Sequence, residues 1–182
     1  MNYTEFAQEV HALAVEKGWW EPAPDFATFI ALCHAELSEA LEEYRNGRPM
    51  VYVDNLDTQE RCTDRTLFGG RKPEGIAVEL ADCVIRMLDW CAAKGRTISL
   101  GDGWPRGYFK ESACFDLPKL LAELHFAIGD IYENENCTGG YPEVIWGIQT
   151  WLAARDIDLW EVARLKHEYN KTRPWRHNGK VI

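Results

Sequence analysis

Two short acidic motifs in the sequence each place two carboxylates about one helical turn apart. The first is Glu36-Leu-Ser-Glu39 and the second is Glu79-Leu-Ala-Asp82. Side chains three residues apart lie on neighbouring positions of one helix face. Four carboxylates from two packed helices would form a cage of oxygen ligands, which are the ligands that Mg²⁺ prefers. Glu43 continues the first motif by one more turn.

Each motif alone also fits an ordinary solvated helix face, so spacing by itself leaves both interpretations open. The second helix favours a special role, because it is apolar on most sides and its polar residues form one narrow stripe. Within that stripe we expect Arg86 to pair with Asp82 and Asp89 rather than to bind phosphate. Helical di-iron sites use Glu-x-x-His. None of the five histidines has a Glu three residues before it, which disfavours a di-iron centre.

The elements that must position these residues are helices. Hydrophobic periodicity and capping residues predict helices over about 2–18, 25–46, 73–93, 117–133, 142–154 and 158–173. Asn2 and Asp25 suit the N-cap position, and Pro73 suits the first position of the third helix. No strand pattern of useful length competes. The sequence therefore predicts a single all-α domain over residues 1–182, a bundle of about five to six helices.

Three features complete this organisation. Helices 25–46 and 73–93 carry the carboxylates, residues 116–173 form a second helical half, and residues 174–182 form a basic tail. From 47 to 72 the periodicity fails, which predicts a long loop with room for a small hairpin. A loop of that length in a compact domain is more often functional than idle.

A faint internal repeat relates the two halves. The pattern Ala35-Glu-Leu-x-x-Ala-Leu41 in the second helix resembles Ala122-Glu-Leu-x-x-Ala-Ile128 in the fourth. If the repeat is a degenerate duplication, Phe126 stands where Glu39 falls, and the second half has become a structural partner without the carboxylates. Helix-rich sequences also produce such matches by chance, which is the favoured explanation.

Composition narrows the class of protein. A formal charge of −9 argues against binding to nucleic acid polymers, because phosphate backbones need clustered Lys and Arg. A single nucleotide stays compatible, since a divalent metal neutralises carboxylates and phosphates locally. The six cysteines show no C-x-x-C pair and no zinc-type spacing. The first residues show no signal-peptide pattern, and no apolar run approaches the roughly 18 residues that span a bilayer. We therefore expect a cytoplasmic protein that does not enter membranes.

The two acidic helices, in this order, resemble the MazG-like all-α nucleoside triphosphate pyrophosphohydrolases. The closing segment Lys166-His-Glu-Tyr-Asn-Lys-Thr-Arg-Pro-Trp-Arg-His-Asn-Gly-Lys180 is also similar to the ending of many such proteins. The resemblance covers about residues 25–46, 72–93 and 158–180. The 47–72 loop departs from the family pattern, because it is longer than compact members allow.

This resemblance implies a reaction and a set of ligands. A nucleoside triphosphate, chiefly a (d)NTP, would be hydrolysed to the monophosphate and pyrophosphate by a metal-activated water. The ion would be Mg²⁺, with Mn²⁺ as an alternative. The implied ligands are Glu36, Glu39, Glu79 and Asp82, and Glu43 would be a further catalytic carboxylate that orients water or binds the ion.

Lys166, Asn170 and Arg173 are candidates for phosphate binding. Their spacing of i, i+4 and i+7 places them on one face of the last helix, and Arg offers a bidentate fork to phosphate. Basic residues at this end of a helix also simply complement its dipole. The resemblance favours the phosphate role.

For the nucleobase, aromatic side chains near the first turn are candidates. Trp19, Trp20 and His11 would offer flat faces on which a base can stack. Tryptophans beside a turn more often cover the core, so both interpretations stay open.

Two other functions fit the same residues. The chain could be a catalytically silent regulator that binds nucleotide or metal, or a purely structural helical scaffold. The four carboxylates favour the enzyme. A homodimer or higher homo-oligomer is expected, unless residues 117–154 replace a partner subunit. The sequence leaves open the base, the sugar and whether one or two ions bind.

Overall fold

A computed structural model of the chain describes residues 2–54, 61–65, 68–98, 109, 111–134 and 140–179. The regular secondary structure of the described part is almost entirely helical, which confirms the predicted all-α bundle. None of the described helices is long and apolar enough to cross a membrane. The helices are α1 (Tyr3–Glu16), α2 (Phe26–Arg45), α3 (Ile76–Ala93), α4 (Leu117–Glu133), α5 (Gly140–Ala153), α6 (Leu159–Thr172) and the short α7 (Arg176–Gly179).

Local capping explains where most helices begin. The Asn2 side chain accepts hydrogen bonds from the backbone at the start of α1, and the Asp25 side chain does the same for α2. These caps satisfy amide groups that a helix end leaves without partners. The prediction that Pro73 occupies the first position of the third helix is wrong, because α3 begins three residues later, after Gly75. Glu74 is extended instead, and its backbone exchanges two hydrogen bonds with Tyr52, of 2.9 and 2.8 Å.

Helix α3 lies at the centre of the molecule and packs against α1, α2, α5 and α6. Its apolar positions are almost completely buried, which removes them from water on nearly every side. On the other face of α2 lies α4, and α5 packs against α4. The buried side chains of α3 include Ile76, Val78, Leu80, Val84, Met87, Leu88 and Trp90.

The long loop between α2 and α3 contains the small hairpin for which the sequence left room. Its strands are β1 (Val53–Asp54) and β2 (Arg61–Cys62), which pair antiparallel. Residues 55–60 and 66–67 of this loop lie outside the described part.

The segment predicted as a basic tail packs back onto the end of α1. The backbone amide of Arg176 donates to the carbonyl of Lys17 at 2.9 Å, and its side chain donates to the carbonyl of Gly18 at 3.1 Å. Gly18 has φ +81°, and a Cβ there would lie 2.3 Å from the Trp175 indole. Only glycine fits this approach. Residues 180–182 of the predicted tail lie outside the described part.

Candidate metal and phosphate site

Three of the four predicted carboxylate ligands meet where α2 crosses α3. Glu36, Glu39 and Glu79 each contribute one oxygen atom, and these three atoms lie within 4.8 Å of one another. The side chains of Glu36 and Glu79 are buried, at 5% and 6% exposure, whereas Glu39 is exposed. The site therefore has two carboxylates inside the helix interface and one at its rim.

Glu79 is the least compensated member of this group. Among the described residues its carboxylate accepts no hydrogen bond and forms no ion pair. Burial raises the pKa of Glu79 to about 8, and the nearby carboxylates add to this, although the charge of Lys166 opposes it. A buried carboxylate without a donor is costly unless a cation neutralises it. Its position beside two further carboxylates is the arrangement that a hard divalent ion stabilises.

Arg86 pairs across the helix interface and not along its own helix. Its Nε donates to Glu36 Oε1 at 2.6 Å, and a second guanidinium nitrogen contacts the same oxygen. The expected pairing with Asp82 and Asp89 is therefore wrong, because the packing of α2 on α3 brings Glu36 closer to the guanidinium. Burial raises the pKa of Glu36, while Arg86 acts in the opposite direction.

Asp82, the fourth predicted ligand, faces a lysine. Lys166 reaches from α6, and its Nζ lies 2.5 Å from Asp82 Oδ2. The Lys166 side chain is almost completely buried. Burial lowers its pKa, but the carboxylates of Asp82 and Glu79 outweigh that effect and hold the pKa above its ordinary value. Asp82 is not one of the three residues whose oxygens cluster.

Glu43 lies away from this cluster, towards the loop that follows α2. Burial raises the pKa of Tyr52, and the charge and hydrogen bonding of Glu43 raise it further, which places the two side chains together. Glu43 Oε2 is buried without a hydrogen-bond partner. Glu43 is not one of the three residues whose oxygens cluster, and it does not line the cleft described below.

The carboxylates open into a cleft of about 430 Å³. The three residues predicted to bind phosphate, Lys166, Asn170 and Arg173, all line it. Asn170 Oδ1 is buried without a hydrogen-bond partner. The remaining lining residues come from α1 and its C-terminal end, α2, the loop before α3, α3 and the C-terminal segment. They include basic, acidic and apolar residues: Lys17, Lys72, His177, Asp89, Val10, Leu13, Leu32 and Ile85.

Of the three residues predicted to contact the nucleobase, only Trp19 lines the cleft. Its ring meets the edge of His177, with centroids 4.7 Å apart. His11 and Trp20 do not line the cleft and instead hold Asp89. The distances to its carboxylate are 2.7 Å from His11 Nδ1 and 3.1 Å from Trp20 Nε1.

Lys17, Lys72 and His177 line the cleft although they were not predicted for the site. Lys17 ends the first helix, Lys72 lies at the end of the aperiodic loop and His177 lies in the predicted tail. Lys72 and His177 fall within stretches that resemble the MazG-like family, but the resemblance implied no role for them. The packing of distant segments brings all three to the cleft, so no local signal assigns them to it.

Compared with known proteins, the chain matches no family model, no curated protein and no solved structure. The cleft combines clustered carboxylates, cations and apolar side chains in its lining, and its volume falls within the usual range for small-molecule sites.

Proposed function

We propose that the protein is a Mg²⁺-dependent pyrophosphohydrolase of nucleoside triphosphates, chiefly (d)NTPs, and a MazG-like enzyme. The products would be the monophosphate and pyrophosphate. The observation that carries the proposal is the buried Glu79 side chain, which has no hydrogen-bond or ion-pair partner among the described residues and lies beside Glu36 and Glu39 in a cleft that cations also line. Such a site suits a divalent ion together with an anionic substrate.

Different residues of the cleft would have different roles. When bound, Mg²⁺ would supply positive charge to the phosphates and lower the pKa of a coordinated water. Lys166 and Arg173 lie on the wall where they can hold phosphate oxygens. Trp19 and the apolar walls would receive the nucleoside.

The bond changes are those of an anhydride hydrolysis. A water oxygen forms a new bond to the α- or the β-phosphorus. The bond from that phosphorus to the oxygen that bridges the two phosphates breaks, and the bridging oxygen keeps the electron pair. Attack at either phosphorus yields the monophosphate and pyrophosphate. Glu39 is the exposed member of the cluster, so it is the carboxylate placed to accept the proton of that water.

The test is pyrophosphate release from a panel of (d)NTPs, with and without Mg²⁺. We expect metal-dependent release that Glu79→Gln abolishes. Glu42→Gln is the matched control on the same helix as Glu36 and Glu39, because the exposed Glu42 pairs with Arg45 at 3.0 Å and neither residue lines the cleft. Release of inorganic phosphate alone would refute the cleavage position. No release by a folded, Mg²⁺-bound protein would favour the regulator.

We also propose that the enzyme acts in the cytoplasm on free nucleotides. The homodimer or higher homo-oligomer stays a prediction, which a measurement of the molar mass by light scattering would test. The cleft described above is lined by α1, α2, α3, α6 and the C-terminal segment of one chain, so a partner subunit is not needed to supply these residues.

A further inference from the structure

Two cations are built into the carboxylate cluster. Arg86 contacts Glu36 through one oxygen only, which leaves the other oxygen of Glu36 for a further ligand. Lys166 contacts Asp82. Arg173 adds a third positive charge that acts on Asp82 and Glu36. When all four carboxylates are ionised they still outnumber these cations, and a bound divalent ion would neutralise the excess.

The geometry of the remaining oxygens also fits one ion. Mg²⁺ binds oxygen at about 2.1 Å in an octahedron, so neighbouring ligand atoms lie about 3 Å apart and opposite ones about 4 Å apart. The clustered oxygens of Glu36, Glu39 and Glu79 lie within 4.8 Å of one another. Small side-chain movements bring them to that spacing. Asp82 is not part of this group, because its carboxylate faces Lys166.

A polar atom outside the carboxylates gives an independent sign that a ligand belongs here. Asn170 lines the cleft, and its Oδ1 is buried without a hydrogen-bond partner. Glu79 itself is more than nine-tenths buried, lines the cleft and has no hydrogen-bond partner among the described residues. Asp82, in contrast, already pairs with the ammonium of Lys166. Of the two acidic residues of the α3 motif, only Glu79 therefore lacks a positively charged partner among the described residues.

We propose that the site takes a single divalent cation, held by Glu36, Glu39 and Glu79, and that Lys166 Nζ occupies the position of a second cation beside Asp82. Sites with two metals place their ions roughly 3.5–4 Å apart to neutralise attacking and leaving oxygens. A buried ammonium fixed by Asp82 would supply the second of these charges permanently. Only this catalytic consequence rests on the proposed function, since the count of ions is independent of any reaction.

The experiment counts bound Mn²⁺ by electron paramagnetic resonance, without nucleotide. We expect one ion per wild-type chain. Lys166→Met replaces the ammonium with an apolar group of similar length, and we expect a second, weaker ion beside Asp82. Lys171→Met is the matched control on the same helix, because Lys171 pairs with the exposed Glu168 outside the cleft, and it should still bind one ion.

A second pair of variants keeps the test decisive if Lys166→Met fails to fold. Asp82→Asn should bind one ion with affinity within about threefold of wild type, whereas Glu79→Gln should lose at least tenfold, in the range found for disturbed metal sites. Equal losses in both variants would overturn the inference, because Asp82 would then be a ligand. Two ions in the wild-type protein would overturn it and leave the proposed reaction intact. No bound ion would overturn both.

Discussion

Helices α2 and α4 carry nearly the same short pattern, which begins Ala-Glu-Leu at 35–37 and at 122–124, but they pack in different surroundings. In α2, Glu36 lies against α3 and meets Arg86 and Glu79. In α4 the matching residue is Glu123, and the position that corresponds to Glu39 holds the exposed Phe126. Besides α2, α4 packs against α5, whose buried side chains are apolar: Tyr141, Val144, Ile145, Ile148, Trp151 and Leu152.

This difference shows that a carboxylate motif becomes a candidate site through its partner helix. The α2–α3 pair keeps charged groups in its interface, which is expensive for folding unless each one finds a counter-charge. The α4–α5 pair buries apolar side chains and stabilises the fold without such costs. We therefore expect substitutions in the first pair to act on chemistry and substitutions in the second to act on stability.

The largest expected effect comes from a matched pair of substitutions. Glu36→Gln should lower nucleotide turnover about 1,000-fold, equivalent to about 4 kcal/mol, because it removes a proposed ion ligand and the partner of Arg86. Glu123→Gln, at the corresponding position of α4, should change turnover less than about twofold. Pyrophosphate release measures both. Similar losses would show that the two helices are functionally equivalent, contrary to this comparison.

The next effect concerns stability in the α4–α5 pair. Leu124 is completely buried, so Leu124→Ala should lower the free energy of unfolding by about 3 kcal/mol through lost burial and a cavity. Urea unfolding measures this. Phe126→Ala on the same helix, at a site that is 57% exposed, should cost less than about 0.5 kcal/mol. Loss of Mn²⁺ binding in folded Leu124→Ala protein would contradict the division of roles.

A smaller effect is expected at the junction of the two pairs. His34 Nδ1 of α2 lies 2.7 Å from His125 Nδ1 of α4, so one imidazole donates and the other accepts. Burial lowers the pKa of both from 6.5, and the charge of His34 lowers that of His125 further. Folding thus favours the neutral pair, and its contribution to stability is present above pH 6.5 and is lost as the pH falls below that value.

Urea unfolding at pH 5.5 and 7.5 checks this contribution. Two effects oppose each other in the wild-type protein between pH 7.5 and 5.5. Protonation of the histidine pair, and of the buried His167, lowers the stability, whereas protonation of Glu79, whose pKa burial raises to about 8, increases it. His125→Asn removes only the contribution of the pair, so its stability at pH 5.5 relative to pH 7.5 should exceed that of the wild-type protein. An unchanged difference in His125→Asn would show that the pair does not titrate with folding.

The smallest effect is expected when the acidic motif is restored in α4. Phe126→Glu restores a Glu-x-x-Glu motif in α4, but α5 offers no carboxylate among its buried residues. We expect the number of bound Mn²⁺ ions to stay the same as in wild type. An additional ion would mean that the motif alone builds a site, whatever its partner helix.

Much of the fold could be predicted from the sequence, because the signals for helices are local. Asn2, Asp25 and Asp158 lie at the N-caps of α1, α2 and α6, and the fourth helix has the predicted bounds of 117–133. Pro73 was the exception. A strand-like contact between Glu74 and Tyr52 delays the helix, and no local pattern contains that distant pairing.

The helices and the two carboxylate motifs on the edges of apolar faces follow from local sequence, since both depend on residues within a few turns of one another. The partners of the charged groups come from long-range packing: Glu36 for Arg86, Lys166 for Asp82, and no donor among the described residues for Glu79. Helical periodicity fixes which side of a helix is buried. Which charge lies opposite depends on the rotation and crossing of helices that are far apart in the chain.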